Sequence, residues 1–191
     1  MLRVMLVDSH MERTAPLKLS LKEEGYEVIA HLNDTANLDD AVRKLQPDIV
    51  IIDTESPSRD TLEHLCVMRE TIPRPIVMFT HDGDIERMRE ATRAGVCAYV
   101  VGSLPTERLK PVMNAAIARF EEFNSLRDEL NAANSKLADR KVIEKAKGLL
   151  MKQRGIDEDQ AYAMMRNMAM EQNMRLATLA EQVVQAAKLL L

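Results

Sequence analysis

The sequence predicts an α/β fold: a doubly wound, five-stranded parallel sheet, then a long coiled-coil helix, then a small three-helix all-α domain. Three observations predict it. Short apolar runs alternate with amphipathic stretches through residue 104, the pattern of strands buried on both faces and helices that cover them. No strand-like run follows Pro105. Beyond that point apolar residues recur at three- and four-residue spacing as far as Leu137, which is one face of a helix.

Arg3 to Val7 is a first strand, with Asp8 at its C-terminal end. Residues 11–24 carry Leu17, Leu19 and Leu21 among charges and stop at Gly25, a helix with a glycine terminator. Tyr26 to Leu32 is a second strand, and 35–45 a helix that ends before Gln46 and Pro47. Asp48 to Asp53 is almost wholly apolar, as a central strand should be. Glu55 to Arg59 is a loop, and 60–71 a helix with Leu62, Leu65 and Met68 on one face. Pro75 to Thr80 is a fourth strand, 84–94 a helix closed by Gly95, and Cys97 to Val101 a fifth strand.

Strands alternating with helices, joined by right-handed crossovers, make a parallel sheet whose chemistry gathers at the strands' C-terminal ends. Asp8, Asp53 and Thr80 all lie there and are expected to converge. Two carboxylates can hold a hydrated Mg²⁺, a weak metal site on Asp8 and Asp53. Such a cation could neutralise a phosphoryl group on Asp53, with the Thr80 hydroxyl bonding its oxygen. No cofactor is required by the sequence.

After Pro105 the seam runs Leu109, Val112, Ala116, Phe123, Leu126, Leu130, Ala133 and Leu137, broken once at Arg119. The helix outruns the sheet, so an intermolecular coiled coil, and hence a homodimer, is expected; packing within the chain is the alternative. Residues 140–153, 157–172 and 176–190 read as three short helices. Gly155 ends the first. Asp157 is an N-cap candidate with Gln160 three residues on, a capping-box arrangement. The faces formed by Val142, Ile143, Ala146, Leu149 and Leu150, by Ala161, Met164, Met165 and Met168, and by Leu176, Leu179, Ala180 and Val183 can close a small core. The methionines read as core filling. The expected domains are 1–104, 105–138 and 139–191.

Composition limits the function classes. With 46% apolar residues the chain can pack a core, and no apolar run reaches the ~18 residues of a membrane span. The run from Met1 to Val7 is too short for a secretory signal, so a cytoplasmic protein is expected. Cys66 and Cys97 sit in apolar stretches and are expected as buried thiols. The four histidines have no zinc spacing, and there is neither a nucleophile–base pair nor a phosphate-binding glycine loop. An enzyme is therefore not expected.

Net charge is −4, but residues 139–191 carry +2 and residues 1–138 carry −6. On a helix Arg140, Lys147 and Arg154 share one stripe, and Lys141, Lys145 and Lys152 the next. Gly148 lies between Lys145 and Lys152 and leaves room for a backbone or phosphate. Two basic rows suit a nucleic-acid backbone; a solvated basic face is the alternative. Charge reversal at Lys147 is expected to weaken such binding without unfolding the protein.

Residues 1–104 resemble a response-regulator receiver through Val7 and Asp8, Pro47 to Asp53, Met78 to Thr80 and Ala94 to Tyr99. The resemblance makes Asp53 the phosphoacceptor, Asp8 a metal-binding acid and Thr80 the switch hydroxyl. Two features depart from the pattern. Ser9 stands where a second acid is usual, and Val101, Gly102 and Ser103 offer no lysine after the fifth strand. The pocket thus lacks one metal ligand and one charge-assisted clamp, so the receiver is expected to act as a docking surface rather than a phosphorylation switch.

Residues 135–188 resemble the ANTAR domain of transcription antiterminators. The matching features are Arg140 to Ile143, Ala146 to Met151, Gly155, Ala161 with Tyr162, Arg166, Ala169, and Arg175 with Ala180. That resemblance implies binding of tandem hairpins in leader RNA. Tyr162, the one aromatic there, either stacks a loop base or is a core aromatic with its hydroxyl at the surface; Arg166 and Arg175 either reach RNA or pair with Glu171. The stretch from Asp53 to His64 is similar to NasT-type nitrate-assimilation antiterminators, which implies control by a nitrate/nitrite sensor protein. The competing reading is a DNA-binding response regulator controlled by phosphorylation of Asp53. It needs a basic recognition helix, yet beyond Arg175 the last helix has only Lys188. A scaffold without a nucleic-acid role would need a stronger acid pocket.

Overall fold

A computed structural model describes residues 1–8, 14–102 and 105–189. The chain divides into two compact units, Met1–Asn124 and Ser125–Leu191. In the first, strands β1 (Arg3–Asp8), β2 (Glu27–Leu32), β3 (Ile49–Thr54), β4 (Ile76–Thr80) and β5 (Ala98–Val101) alternate with helices. The helices are α1 (Thr14–Glu23), α2 (Leu38–Leu45), α3 (Arg59–Thr71) and α4 (Ile85–Ala94). The strands pair in parallel in the order β2-β1-β3-β4-β5. The order reverses between β1 and β3, the switch point at which such sheets bind ligands.

Residue alternation along the strands splits the core in two. Met5, Val7, Val50, Ile52 and Met78 pack against Leu38 and Val42 of α2, Leu62, Leu65 and Met68 of α3, and Ala91 and Ala94 of α4. Val4, Leu6, Ile49, Ile51, Val77 and Phe79 pack against Leu21 of α1 and against Leu109, Met113 and Ala116. Local signals set the ends: Ser58 and Asp84 cap α3 and α4 through their side chains, and α4 stops at Gly95 with φ of 109°. The cysteine expectation is corrected. Cys66 is exposed and Cys97 half-buried. Because α3 turns inward at Leu62, Leu65 and Met68, Cys66 falls one position round the helix, toward solvent.

The long helix differs from the expected one at both ends. Helix α5 runs unbroken from Thr106 to Arg154, so the first short helix of the C-terminal domain is its continuation and not a separate element. Nothing between Leu137 and Arg140 breaks a helix: the stretch lacks glycine and proline. The head of the seam, Leu109 with Ala116, is core of the first unit. From Phe123 onward the seam is exposed, with Leu126, Leu130 and Leu137 all more than half accessible.

The second unit closes a core from the end of α5 together with α6 (Glu158–Glu171) and α7 (Leu176–Leu189). Ala146, Met165, Ala169, Leu179, Ala180 and Val184 are buried, with Val142, Ile143, Leu149 and Leu150 packed against them. Asp157 and Gln160 form the capping box the sequence signals. Gly155, with φ of 65°, turns the chain between α5 and α6. Core filling by methionine holds only in part: Met165 is fully buried, whereas Met168 and Met170 are exposed. Ala169, one turn beyond Met165, takes the inward position expected of Met168. No helix among the described residues is long and apolar enough to cross a membrane.

Candidate functional site

The strand ends bring the three predicted residues together. Asp8 ends β1 directly opposite Asp53 of β3, and Thr54 is opposite Thr80, the last residue of β4. Asp8 and Thr80 are buried and Asp53 is half-buried. Asp53 borders two concavities. One also includes Asp8, Asp34, Thr35, Ser58 and His64; the other includes Thr80, Gly102, Ser20 and Thr106. Ser9 lies outside the described residues.

Thr80 is anchored within its own loops. Its hydroxyl donates to the Glu55 carbonyl at 2.7 Å and accepts from the Asp82 amide at 3.1 Å. The His81 amide donates to the same Glu55 carbonyl. These bonds tie the β3–α3 loop to the end of β4. The Ser56 hydroxyl donates to Asp82 at 2.5 Å and holds that carboxyl below its ordinary range, helped by the Asp84 amide. The Tyr99 hydroxyl donates to the Asp82 carbonyl at 3.0 Å, and burial, then the Asp82 charge, push the phenol up. The sequence reading missed Ser56, Asp82 and Tyr99 because their partners lie 26 and 17 residues away.

The donor set suits a hydrated Mg²⁺ held by Asp8 and Asp53 and completed by water and phosphoryl oxygens. Among the described residues no cluster of three acidic, histidine or cysteine side chains could cage a metal alone. Where receivers carry a lysine, Gly102 has φ of 81° and no neighbour within 4 Å of an added Cβ.

In the second unit the basic rows separate into two kinds of residue. Arg140, Lys141, Lys145, Lys152 and Arg154 are exposed on α5. Gly148 is exposed beside them, with open space where a Cβ would stand. Lys147 is different: it is buried, and its ammonium donates to Glu144 at 2.8 Å and Glu158 at 2.6 Å. Those bonds, Glu144 first, raise its pKa. The expectation that Lys147 faces a ligand, and that its reversal leaves the fold intact, is therefore corrected. Burial between two carboxylates makes it a tie between α5 and α6. Glu144, three residues earlier, was the sequence signal for this pairing.

Tyr162 and Arg166 are exposed one turn apart on α6. Arg175 donates to Asp139 at 2.7 Å. Its partner is on α5, 36 residues away, rather than the nearby Glu171. This leaves exposed cations on α5 and an exposed aromatic–arginine pair on α6.

A 2-1-3-4-5 parallel sheet with an acid pair at its switch point, a hydroxyl on the next strand end and a covering α1/α5 layer defines a receiver module. The model of the response regulator receiver domain matches residues 4–114, and the chain belongs to that family. The ANTAR domain follows at residues 131–184. The transcriptional regulatory protein PdtaR of Mycobacterium tuberculosis is 29% identical over 183 residues, spanning 96% of this chain and 89% of that protein. A LuxR-family two-component response regulator from Aurantimonas sp. SI85-9A1 is 28% identical with a TM-score of 0.54, over 61% of this chain and 85% of that one. The receiver domain of a modulated diguanylate cyclase from Desulfovibrio desulfuricans G20 shares the fold at 21% identity and a TM-score of 0.56, over 63% of this chain and 97% of that one.

Proposed function

We propose that this chain is a signal-responsive transcription antiterminator that binds tandem hairpins in leader RNA as a homodimer. The observation that carries the reading is the order of parts in one chain. A receiver leads into a helix with an exposed apolar seam, and that helix ends in an ANTAR domain where Arg140, Lys141, Lys145, Lys152 and Arg154 are exposed. The seam of Phe123, Leu126, Leu130, Ala133 and Leu137 suits a second copy of itself. Two linked RNA modules then raise affinity for paired hairpins through effective concentration. Arg140, Lys141, Lys145, Lys152 and Arg154 contact phosphates, Gly148 admits the backbone, and Tyr162 stacks a loop base with Arg166 beside it. Lys147 and Arg175 hold this surface in shape.

The receiver supplies control. Its weakened pocket favours a docking protein over a kinase, and the likeness at Asp53 to His64 points to a nitrate/nitrite sensor and to nitrate-assimilation transcripts. The DNA-binding reading has less support, since the segment after the receiver matches ANTAR rather than a major-groove reader. The test is binding of purified protein to a two-hairpin RNA and to duplex DNA of equal length over a salt series. Expected are preference for the two-hairpin RNA over either hairpin alone, and loss of that preference in Lys145→Glu and Tyr162→Ala. Equal binding to both nucleic acids, governed by salt alone, refutes the reading.

A further inference from the structure

The first unit carries a further concave site, at the N-terminal edge of the sheet, away from the acid pair. Its walls come from the end of α3, the starts of β4 and β5, and one turn of α5. Its volume is about 140 Å³, close to the ~150 Å³ of cavities that take up a benzene ring. Ile76, Val96, Phe120 and Phe123 supply the apolar wall. The Arg69 guanidinium lies over the Phe123 ring, 4.9 Å from its centroid.

Two further arginines line the same cavity. Arg119 donates to the Cys97 carbonyl at 3.3 Å. Arg74 donates to the Pro73 carbonyl at 3.0 Å and to the Gln46 side-chain carbonyl. All these acceptors are neutral, so neither positive charge is balanced by them. An apolar wall of one ring's volume, set beside arginines whose hydrogen-bond acceptors are neutral, matches one ligand shape. The ring belongs against the phenylalanines and a planar anion beside the guanidinium groups, where charge-assisted bonds to a carboxylate are strong and directional.

We propose that this cavity is a binding site for a small aromatic carboxylate. It is separate from the acid pocket, and it shares Phe123 with the proposed dimer seam. An inorganic phosphate carries the charge without a ring to fill the apolar wall, and a neutral aromatic carries the ring without the charge.

The test uses the full-length protein with benzoate as probe, read by calorimetry and by amide chemical shifts. Benzyl alcohol and inorganic phosphate are the comparison ligands. Expected is saturable benzoate binding with shifts at Gly95, Val96, Cys97 and Phe123, and much weaker binding of either comparison ligand. Arg119→Gln and Arg74→Gln should each weaken benzoate by about tenfold, the worth of one charged hydrogen bond. Absence of saturable binding overturns the proposal. So does benzyl alcohol or phosphate binding as well as benzoate, or affinity unchanged in the Arg119 variant. Arg119 is exposed and lies outside the core, so that variant decides the matter even if Arg74→Gln folds poorly.

Discussion

Replacing Leu130 with alanine tests the seam most directly. Leu130 is 61% exposed in the single chain, so most of its surface is free of contact within the protomer. In a paired coiled coil the same side chain is covered. Full burial of a leucine is worth about 1.5–3 kcal/mol, and covering the exposed part recovers roughly 1 kcal/mol or somewhat more per copy. Both copies lose it together, so Leu130→Ala should cost the dimer about 2–3 kcal/mol, a 30- to 150-fold weaker association. Sedimentation equilibrium over a concentration series reads the constant, and thermal unfolding of the monomer supplies the control. The reasoning fails if the unmodified protein stays monomeric throughout, or if Leu130→Ala leaves the association unchanged. It also fails if the variant lowers the monomer's unfolding midpoint as much as a core substitution would.

Lys145→Glu should leave the unfolding transition of the second unit in place while weakening RNA retention on filters. Lys147→Glu should lower that transition, because a third carboxylate then faces Glu144 and Glu158; identical behaviour of the two variants contradicts their assignment. Met165→Ala empties a fully buried position and should destabilise the second unit by about 2–5 kcal/mol in denaturant melts, with the receiver transition unmoved. His31 is held below its ordinary pKa by burial and by Lys18, which donates to its Nδ1 at 2.8 Å, with Asp8 opposing. A lowered folded-state value means the unfolded chain binds the proton more tightly. The stability contribution is therefore full above about pH 6.5 and falls on acidification toward the folded value. A titration of the His31 ring resonances that returns an ordinary or raised value contradicts this.

The parallel sheet was legible because its strands are short apolar runs ended by Asp8, Asp53 and Thr80, and because βαβ handedness leaves few ways to connect them. The capping box at Asp157 and Gln160 and the turn at Gly155 were legible for the same reason: each signal and its partner lie within a few residues. Local pattern thus fixes the order of elements through β5, the convergence of the strand ends and an apolar seam along the long helix.

Which members of a uniform-looking pattern face inward depends on packing between distant segments. Lys147 and Lys145 are two residues apart in the same basic stretch, yet only Lys147 meets Glu158 when α6 folds back. Arg175 finds Asp139 across 36 residues rather than Glu171 across four. Leu109 and Leu130 belong to one seam in sequence, but the sheet lies only under the first. Periodicity assigns a residue to a face of its helix; what that face meets depends on chain segments far away, whose approach no local spacing encodes.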